Sequence, residues 1–333
     1  MRSSLLLHTT LLASGVGLFA LSPATALAQG KPVTLVVPYS KGGGSGQLTR
    51  AMAKSVESIS KTRFKIIYIK EGAGLGAIKP FMNMPKDGYS IIEHIDDITS
   101  AYAIGAVDLN PAKDWSPLNI VQLTFSQLYI KSDETRFTDW KSFLAYAQQK
   151  EKRIAVSNIS YDGSMENLTM RALENDLGFK TRQISFATAK DRFEAVFRGR
   201  ADVLFEQPGD VRKYIDEGRL KPILTFFNER PKAFANVPTH KEVGATFEPL
   251  LRFRGFFVKK GIPPERLAYL EKIFAQGFAT KSFQDFNESK YMKVVDPYRN
   301  PKDSVTLLNN TIKAYSEYYQ DFLAQTLNDY FKR

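Results

Sequence analysis

The chain contains no cysteine among its 333 residues. That excludes a disulfide scaffold, zinc held by thiolates, a thiol nucleophile and a lipid anchor on an N-terminal cysteine. Histidine is also scarce. Of the three present, His94 and His240 are far apart and His8 sits near the start, so no HExxH-type metal spacing exists. No G-x-S-x-G elbow occurs, which removes a common hydrolase signature. No segment approaches the about 20 apolar residues of a membrane-spanning helix. Nor is there a Lys/Arg block of the kind that forms a nucleic-acid arm. Catalytic constellations are therefore absent, and an enzyme is the weaker class.

What is present begins with a targeting pattern. Arg2 is followed by a short apolar run, Leu11 to Ala20, and then by Ala26-Leu27-Ala28 before Gln29. This pattern predicts a secretory signal peptide over residues 1–28, cut after Ala28, and hence a periplasmic protein. The composition, 43% hydrophobic and 24% charged, suits a folded chain large enough for two domains. The net charge of +11 attracts anions, although most of these charges read as a solvated surface.

Short apolar runs alternate with helical patterns. Val33 to Val37, Phe64 to Ile69, Tyr89 to Ile95, Leu128 to Ile130, Ile154 to Val156, Gln183 to Phe186, Asp202 to Phe205 and Pro222 to Phe226 read as strands. Helical patterns fall at Leu48 to Val56, Trp140 to Gln149, Ser164 to Leu177, Arg192 to Phe197 and Val211 to Glu217. Alternation of this kind predicts an α/β fold with mainly parallel sheets and a cleft between two units. The tail differs: Val305, Leu308, Ile312, Tyr315, Tyr319 and Phe322 form an apolar stripe, which is packing.

Two turns carry the candidate chemistry. The first, Tyr39-Ser40-Lys41-Gly42-Gly43-Gly44-Ser45-Gly46-Gln47, leaves a buried strand and enters a helix. Glycines let the backbone approach a ligand, and a helix N-terminus offers unpaired N–H groups to an anion. A nucleotide P-loop would end in Lys-Ser/Thr, but Gln47-Leu48 stands there. A bulky residue at Gly43 or Gly44 is expected to block such a seat. Lys41 is either a direct charge for a carboxylate or a solvent-facing lysine. The second turn runs from Asn158 through Ser160, Asp162, Gly163 and Ser164 to Asn167. Its hydroxyls and amides can donate to a carboxylate, while Ser164 alone reads equally as a helix cap. In open α/β sheets ligands sit at the carboxyl ends of strands, which adds Glu206, after Asp202 to Phe205. Arg254, in Arg252-Phe253-Arg254, can meet a second carboxylate or a ring. Asp96 and Asp97, adjacent in sequence, read as a helix start rather than as a facing pair.

Several pieces, each weak alone, occur in a specific order: Pro38-Tyr39 with the glycine-rich turn to Arg50; Gly72-Ala73-Gly74-Leu75-Gly76; Asp87-Gly88-Tyr89-Ser90-Ile91; Asp114-Trp115-Ser116-Pro117-Leu118; Gly163-Ser164; Gly199-Arg200-Ala201-Asp202; and Val237-Pro238-Thr239 with Glu242 and Gly244. In this the chain resembles the periplasmic solute receptors of tripartite tricarboxylate transporters, the Bug family. The resemblance covers nearly all of the sequence after residue 28. It implies a two-lobed, Venus-flytrap binding protein of type II-like form, with residues 30–131 plus 254–333 in one lobe and 132–253 in the other. It further implies that Tyr39 through Gln47 and Asn158 through Asn167 grip one ligand carboxylate.

There are departures from the family pattern. Gly46 stands where an acidic residue is usual, and Lys41 where proline is common. The histidine usual near Asn167 is missing, and Ser185-Phe186-Ala187-Thr188 replaces a Pro-Tyr-Lys-Gly-like segment, leaving Phe186 as a lining candidate. The function implied is capture of a small aliphatic or aromatic mono-, di- or tricarboxylate for membrane transporter subunits, by a monomer with no cofactor and no nucleic-acid partner. A sensor for a signalling system and a periplasmic hydrolase are the alternatives.

Overall fold

The computed structural model describes residues 30–149, 153–159, 161, 163–186 and 188–331. The expected signal peptide, Ser160 and Asp162 lie outside them. Among the described residues ten strands are formed: β1 Val33–Val37, β2 Phe64–Tyr68, β3 Ser90–Ile95, β4 Trp115–Thr124, β5 Ser126–Lys131, β6 Ala155–Asn158, β7 Arg182–Ser185, β8 Val203–Glu206, β9 Leu220–Phe226 and β10 Arg252–Lys259. They make two five-stranded sheets, ordered β2-β1-β3-β10-β4 and β7-β6-β8-β5-β9.

Each sheet has an apolar core on both faces, which is why its central strands are apolar runs rather than alternating patterns. In β1, Leu35 packs on one face with Leu48, Met52 and Val56, while Val36 packs on the other with Phe81 and Trp115. The second sheet is covered by one core around Leu128, Val156, Phe205 and Phe226 and another around Tyr129, Ala195 and Leu204.

The sheets are mainly parallel in strand direction, as expected, with one reversed strand in each. β1 pairs in parallel with β2 and β3, and β6 with β7 and β8. β10 runs antiparallel to β3 and β4, and β5 to β8 and β9. The strands that carry the chain between the sheets enter from the opposite end, so they reverse direction. Phe125 alone separates β4 from β5, so the passage from one sheet to the other falls there, ahead of the expected 131/132 division.

Six helices bear on the cleft or on the joining of the two halves. They are α1 Gly44–Ile59, α2 Asp97–Ala103, α3 Met165–Leu177, α4 Ala189–Phe197, α5 Pro208–Asp216 and α6 Pro301–Phe331. Leu48, Met52 and Val56 recur at four-residue steps and seat α1 on the first sheet. α6 serves both halves: Leu308 joins the core of the first sheet and Tyr315 that of the second. Among the described residues, no helix is long and apolar enough to cross a membrane.

The topology fixes where chemistry can occur. The carboxyl ends of β1 and β3 lead into α1 and α2, and those of β6, β7 and β8 lead into α3, α4 and α5. These ends face one another across a cleft. β10 runs the other way, so its first residues, Arg252 and Arg254, arrive at the same edge.

Candidate ligand-binding cleft

The first wall comes from the β1–α1 turn. Gly43 caps α1 in an extended conformation with no side-chain cap, and the first turn holds no acidic residue. The first helical backbone bond runs from the Gln47 N–H to the Gly43 carbonyl at 3.0 Å. The preceding N–H groups thus present the positive end of the helix to the cleft. Tyr39, Ser40, Gly43, Gly44 and Ser45 line it. Gly46 does not: a Cβ there would fall 2.5 Å from the Lys41 carbonyl oxygen. The tightness of this turn explains why no acidic side chain stands at Gly46. The Lys41 side chain is exposed and outside the lining, and the Gln47 side chain turns back to donate to the Gly42 carbonyl at 2.9 Å.

Behind this turn, Tyr39 is held by an edge-on contact with His94 and donates its hydroxyl to Asp97 Oδ2 at 3.1 Å. Ala73 adds a backbone in the left-handed region, φ 52°, which is uncommon for a residue with a Cβ. Gly74, beside it, allows Tyr39 to approach: a Cβ there would lie 2.5 Å from the Tyr39 hydroxyl.

Two arginines on β10 cross from one wall to the other. Arg254 donates to Gln122 Oε1 at 3.0 Å and to Asp210 Oδ2, on α5, at 2.6 Å. Gln122 is itself oriented by Asn287, which is tied to the Val121 carbonyl. Arg252 donates to Asp96 and Asp97 at 2.9 and 3.0 Å and to Glu166, on α3, at 2.6 Å. Tyr315 donates to the other Asp96 oxygen. Burial raises the Asp96 and Glu166 carboxyls above their usual range, although Arg252 opposes the shift. Asp96 and Asp97 stand at the start of α2, where the sequence reading put them, and share Arg252 as one partner. They lie on successive residues at the start of α2, and a guanidinium placed beyond the helix end reaches both.

The second wall is built from α4 and α5 more than from the expected turn. Ile159, Ala189, Arg192, Glu206, Gln207 and Asp210 line it. Arg192 pairs with Glu206 at 2.5 Å, and the other Glu206 oxygen accepts the Gln207 N–H at 3.1 Å. Asn158 is buried and donates to Gln183 at 2.6 Å. The Gly163 carbonyl accepts from Ser100, and Asn167 donates to the Tyr161 carbonyl at 3.2 Å. Phe186 is half-buried beneath the Arg200 guanidinium, outside the lining. Ser164 caps α3, accepting the Asn167 N–H at 3.3 Å. Ser164→Ala is expected to lower stability by about 1 kcal/mol, read in a denaturant titration, and to leave ligand affinity unchanged. Of the expected residues, the structure thus gathers Tyr39, Ser40, Gly43, Gly44, Ser45, Glu206 and Arg254 around one cleft.

The two halves are shut. Besides the arginine pairs, the Tyr161 hydroxyl donates to the Asp97 carbonyl at 3.0 Å, and Lys290 donates to the Gly209 carbonyl at 3.0 Å. About 40 Å³ of free space remains at the bottom of the cleft, enough for a water or two.

Two sheets flanked by helices, with the cleft between helix N-termini, define the two-lobed fold of periplasmic binding proteins. The chain belongs to the tripartite tricarboxylate transporter receptor family, whose model matches residues 49–320. It is 24% identical over 274 residues to a curated protein of Cupriavidus necator, "UPF0065 protein in gbd 5'region", covering 80% of each chain. Among solved structures, a TctC solute binding protein from Polaromonas matches at 23% identity with a TM-score of 0.64, covering 87% of this chain and 98% of that one. MatC of Rhodopseudomonas palustris, with bound malate, matches at 18% identity and 0.77, covering 86% and 98%. A further R. palustris protein, with adipate, matches at 18% identity and 0.75, covering 87% and 96%. The protein is a solute-binding receptor of this family.

Proposed function

We propose that this receptor is exported to the periplasm and captures a small organic carboxylate for a membrane transporter. The observation that carries this reading is the uncapped N-terminus of α1, with its close-approach glycine at Gly44, placed opposite a buried guanidinium on Arg254. A helix N-terminus and an arginine fork together suit a carboxylate. The malate and adipate held by two relatives of the same fold support the ligand class. We take one lobe as the residues up to Phe125 plus those from Arg252 onward, following sheet membership. The other lobe is what lies between. Neither half-site is complete alone, so the lobes must part to admit ligand and close to hold it.

A thermal-shift screen over aliphatic and aromatic mono-, di- and tricarboxylates tests this. A ligand at 100 times its dissociation constant stabilises the folded state by about 2.7 kcal/mol, a shift of several degrees. Small-angle scattering with the tightest binder should show one compact form at saturation. A library in which no carboxylate raises the midpoint would refute the proposal.

A further inference from the structure

The protein is strongly basic, yet its cleft is acidic. Six carboxyl groups, of Glu93, Asp96, Asp97, Glu166, Glu206 and Asp210, stand in and behind it against three guanidiniums, of Arg192, Arg252 and Arg254. Each guanidinium is already engaged: Arg252 by three carboxylates, Arg192 by Glu206 and Arg254 by Asp210. Lys70 lines the mouth, where it is exposed, and Lys290, half-buried in the field of Asp210, has its ammonium tied to the Gly209 carbonyl.

Asp210 holds a particular place. A Cβ on Gly44 would fall 2.5 Å from Asp210 Oδ2 and closer still to the Arg254 guanidinium. The Asp210 carboxylate, from the second lobe, therefore packs against Gly44 beside the first turn of α1, where a ligand carboxylate would come. Glu93, on β3, lies in the field of Arg254, Arg252 and Asp210 and beside the Ser45 hydroxyl, fully buried. Neither of its oxygens makes a hydrogen bond of ordinary geometry, although the Ser45 hydroxyl lies near enough to favour its charged form. Burial pushes its carboxyl up to about 8, against the pull of Arg254, Ser45 and Arg252.

A ligand carboxylate that takes this seat, as proposed above, displaces Asp210 from Arg254. The displaced carboxylate is then shut into the closed cleft beside Glu206, and beside a Glu93 whose carboxyl burial keeps protonated near neutral pH. A buried carboxylate without a partner is costly, and like charges add to the cost. A plain dicarboxylate would bring two more negative charges into that space. A ligand that brings a cation removes the conflict. We propose that the ligand is an amino carboxylate, whose carboxylate replaces Asp210 on Gly44 and Arg254 and whose ammonium is held by Asp210 and Glu93. This rests on the carboxylate reading of the same site and specifies its class.

The test is calorimetry on the purified exported protein with matched pairs: aspartate and succinate, glutamate and glutarate, 2-aminoadipate and adipate. In the pair whose length fits, the amino member should bind at least about tenfold tighter, on the order of the 1.4 kcal/mol that a factor of ten represents. An ammonium beside Glu93 favours its ionised form, so binding at pH 7 should release a proton, seen as a dependence of the heat on the buffer. Asp210→Asn should bring the ratio to near one. Glu93→Gln should reduce it and abolish the proton release. Melting temperatures establish that both variants fold, with Asp210→Ser as a second variant. Should plain dicarboxylates bind as tightly as their amino partners in every pair, the inference fails and the carboxylate reading stands. A tenfold preference unchanged in both variants also overturns it. If no member of any pair and no other carboxylate binds, the carboxylate reading itself falls.

Discussion

Arg252→Met is expected to destabilise the protein by about 3–5 kcal/mol, a fall in melting temperature on the order of 10 °C. The side chain is 1% exposed and is the shared partner of Asp96, Asp97 and Glu166. Methionine fills much of its volume but leaves three carboxyls buried without their cation. The cause can be separated from lost packing by pH. In the variant, the Asp96 and Glu166 carboxyls bind protons more readily folded than unfolded, so its stability rises as pH falls from neutrality toward the ordinary carboxylate range. Burial already lifts Asp96 and Glu166 in the native protein, and losing Arg252 lifts them further. The deficit relative to the native protein should therefore shrink on going from pH 8 to pH 5. A deficit independent of pH would mean that packing, not charge, is what Arg252 supplies. Because Glu166 stands on the opposite lobe, the variant should also be less compact in scattering than the native receptor.

That arginine also shows what sequence reading could and could not reach. Val33–Val37 followed by glycines has one physical meaning, a buried strand entering a helix, and β1, the first turn and α1 lie where that meaning puts them. β4 was missed because Trp115–Thr124 mixes Pro117, Asn119 and Gln122 into a strand buried throughout. Hydropathy reads such a segment as a loop. β10 was missed for a related reason. Arg252, Arg254 and Lys259 are charged, yet all three are buried. A charge on a strand normally marks the solvent face; here the two arginines mark the cleft, and Lys259, at the other end of β10, donates to the Met84 carbonyl. The signal available was balance: the adjacent acids Asp96 and Asp97 need a cation if buried, and Arg252-Phe253-Arg254 offered one. The glycine turn could be found from sequence, but the role of each glycine depends on what crosses from the other lobe. Asp210 and Glu93 carried no local mark, since each is a single acidic residue whose meaning comes from Arg254 and from the close approach of α1.

The glycines of that turn now separate, and Gly44→Ala is expected to weaken carboxylate binding at least about 100-fold, close to 2.7 kcal/mol. In an isolated helix the exchange is favourable, since alanine exceeds glycine by about 0.8–1.0 kcal/mol in helix propensity. The added methyl, however, would occupy the space now filled by the Asp210 carboxylate and the Arg254 guanidinium. It covers the N–H groups of α1 that an anion must reach, and it parts the two walls that closure must bring together. The fold of each lobe should survive, because the methyl points into the cleft and not into either core. Gly42 provides the control. Nothing lies within 4 Å of a Cβ built there, and it does not line the cleft, so Gly42→Ala should bind normally. Gly43 is intermediate: its Cβ would make ordinary contacts with Ser40 at 3.5 Å and Ala189 at 3.8 Å. Gly43→Ala should be tolerated, whereas Gly43→Val should press on α4 and hinder closure. Calorimetry of the three alanine variants against the tightest carboxylate from the screen ranks them. Normal binding by Gly44→Ala with an unchanged melting temperature would mean that the ligand sits elsewhere and that Asp210 rests on α1 for structural reasons alone.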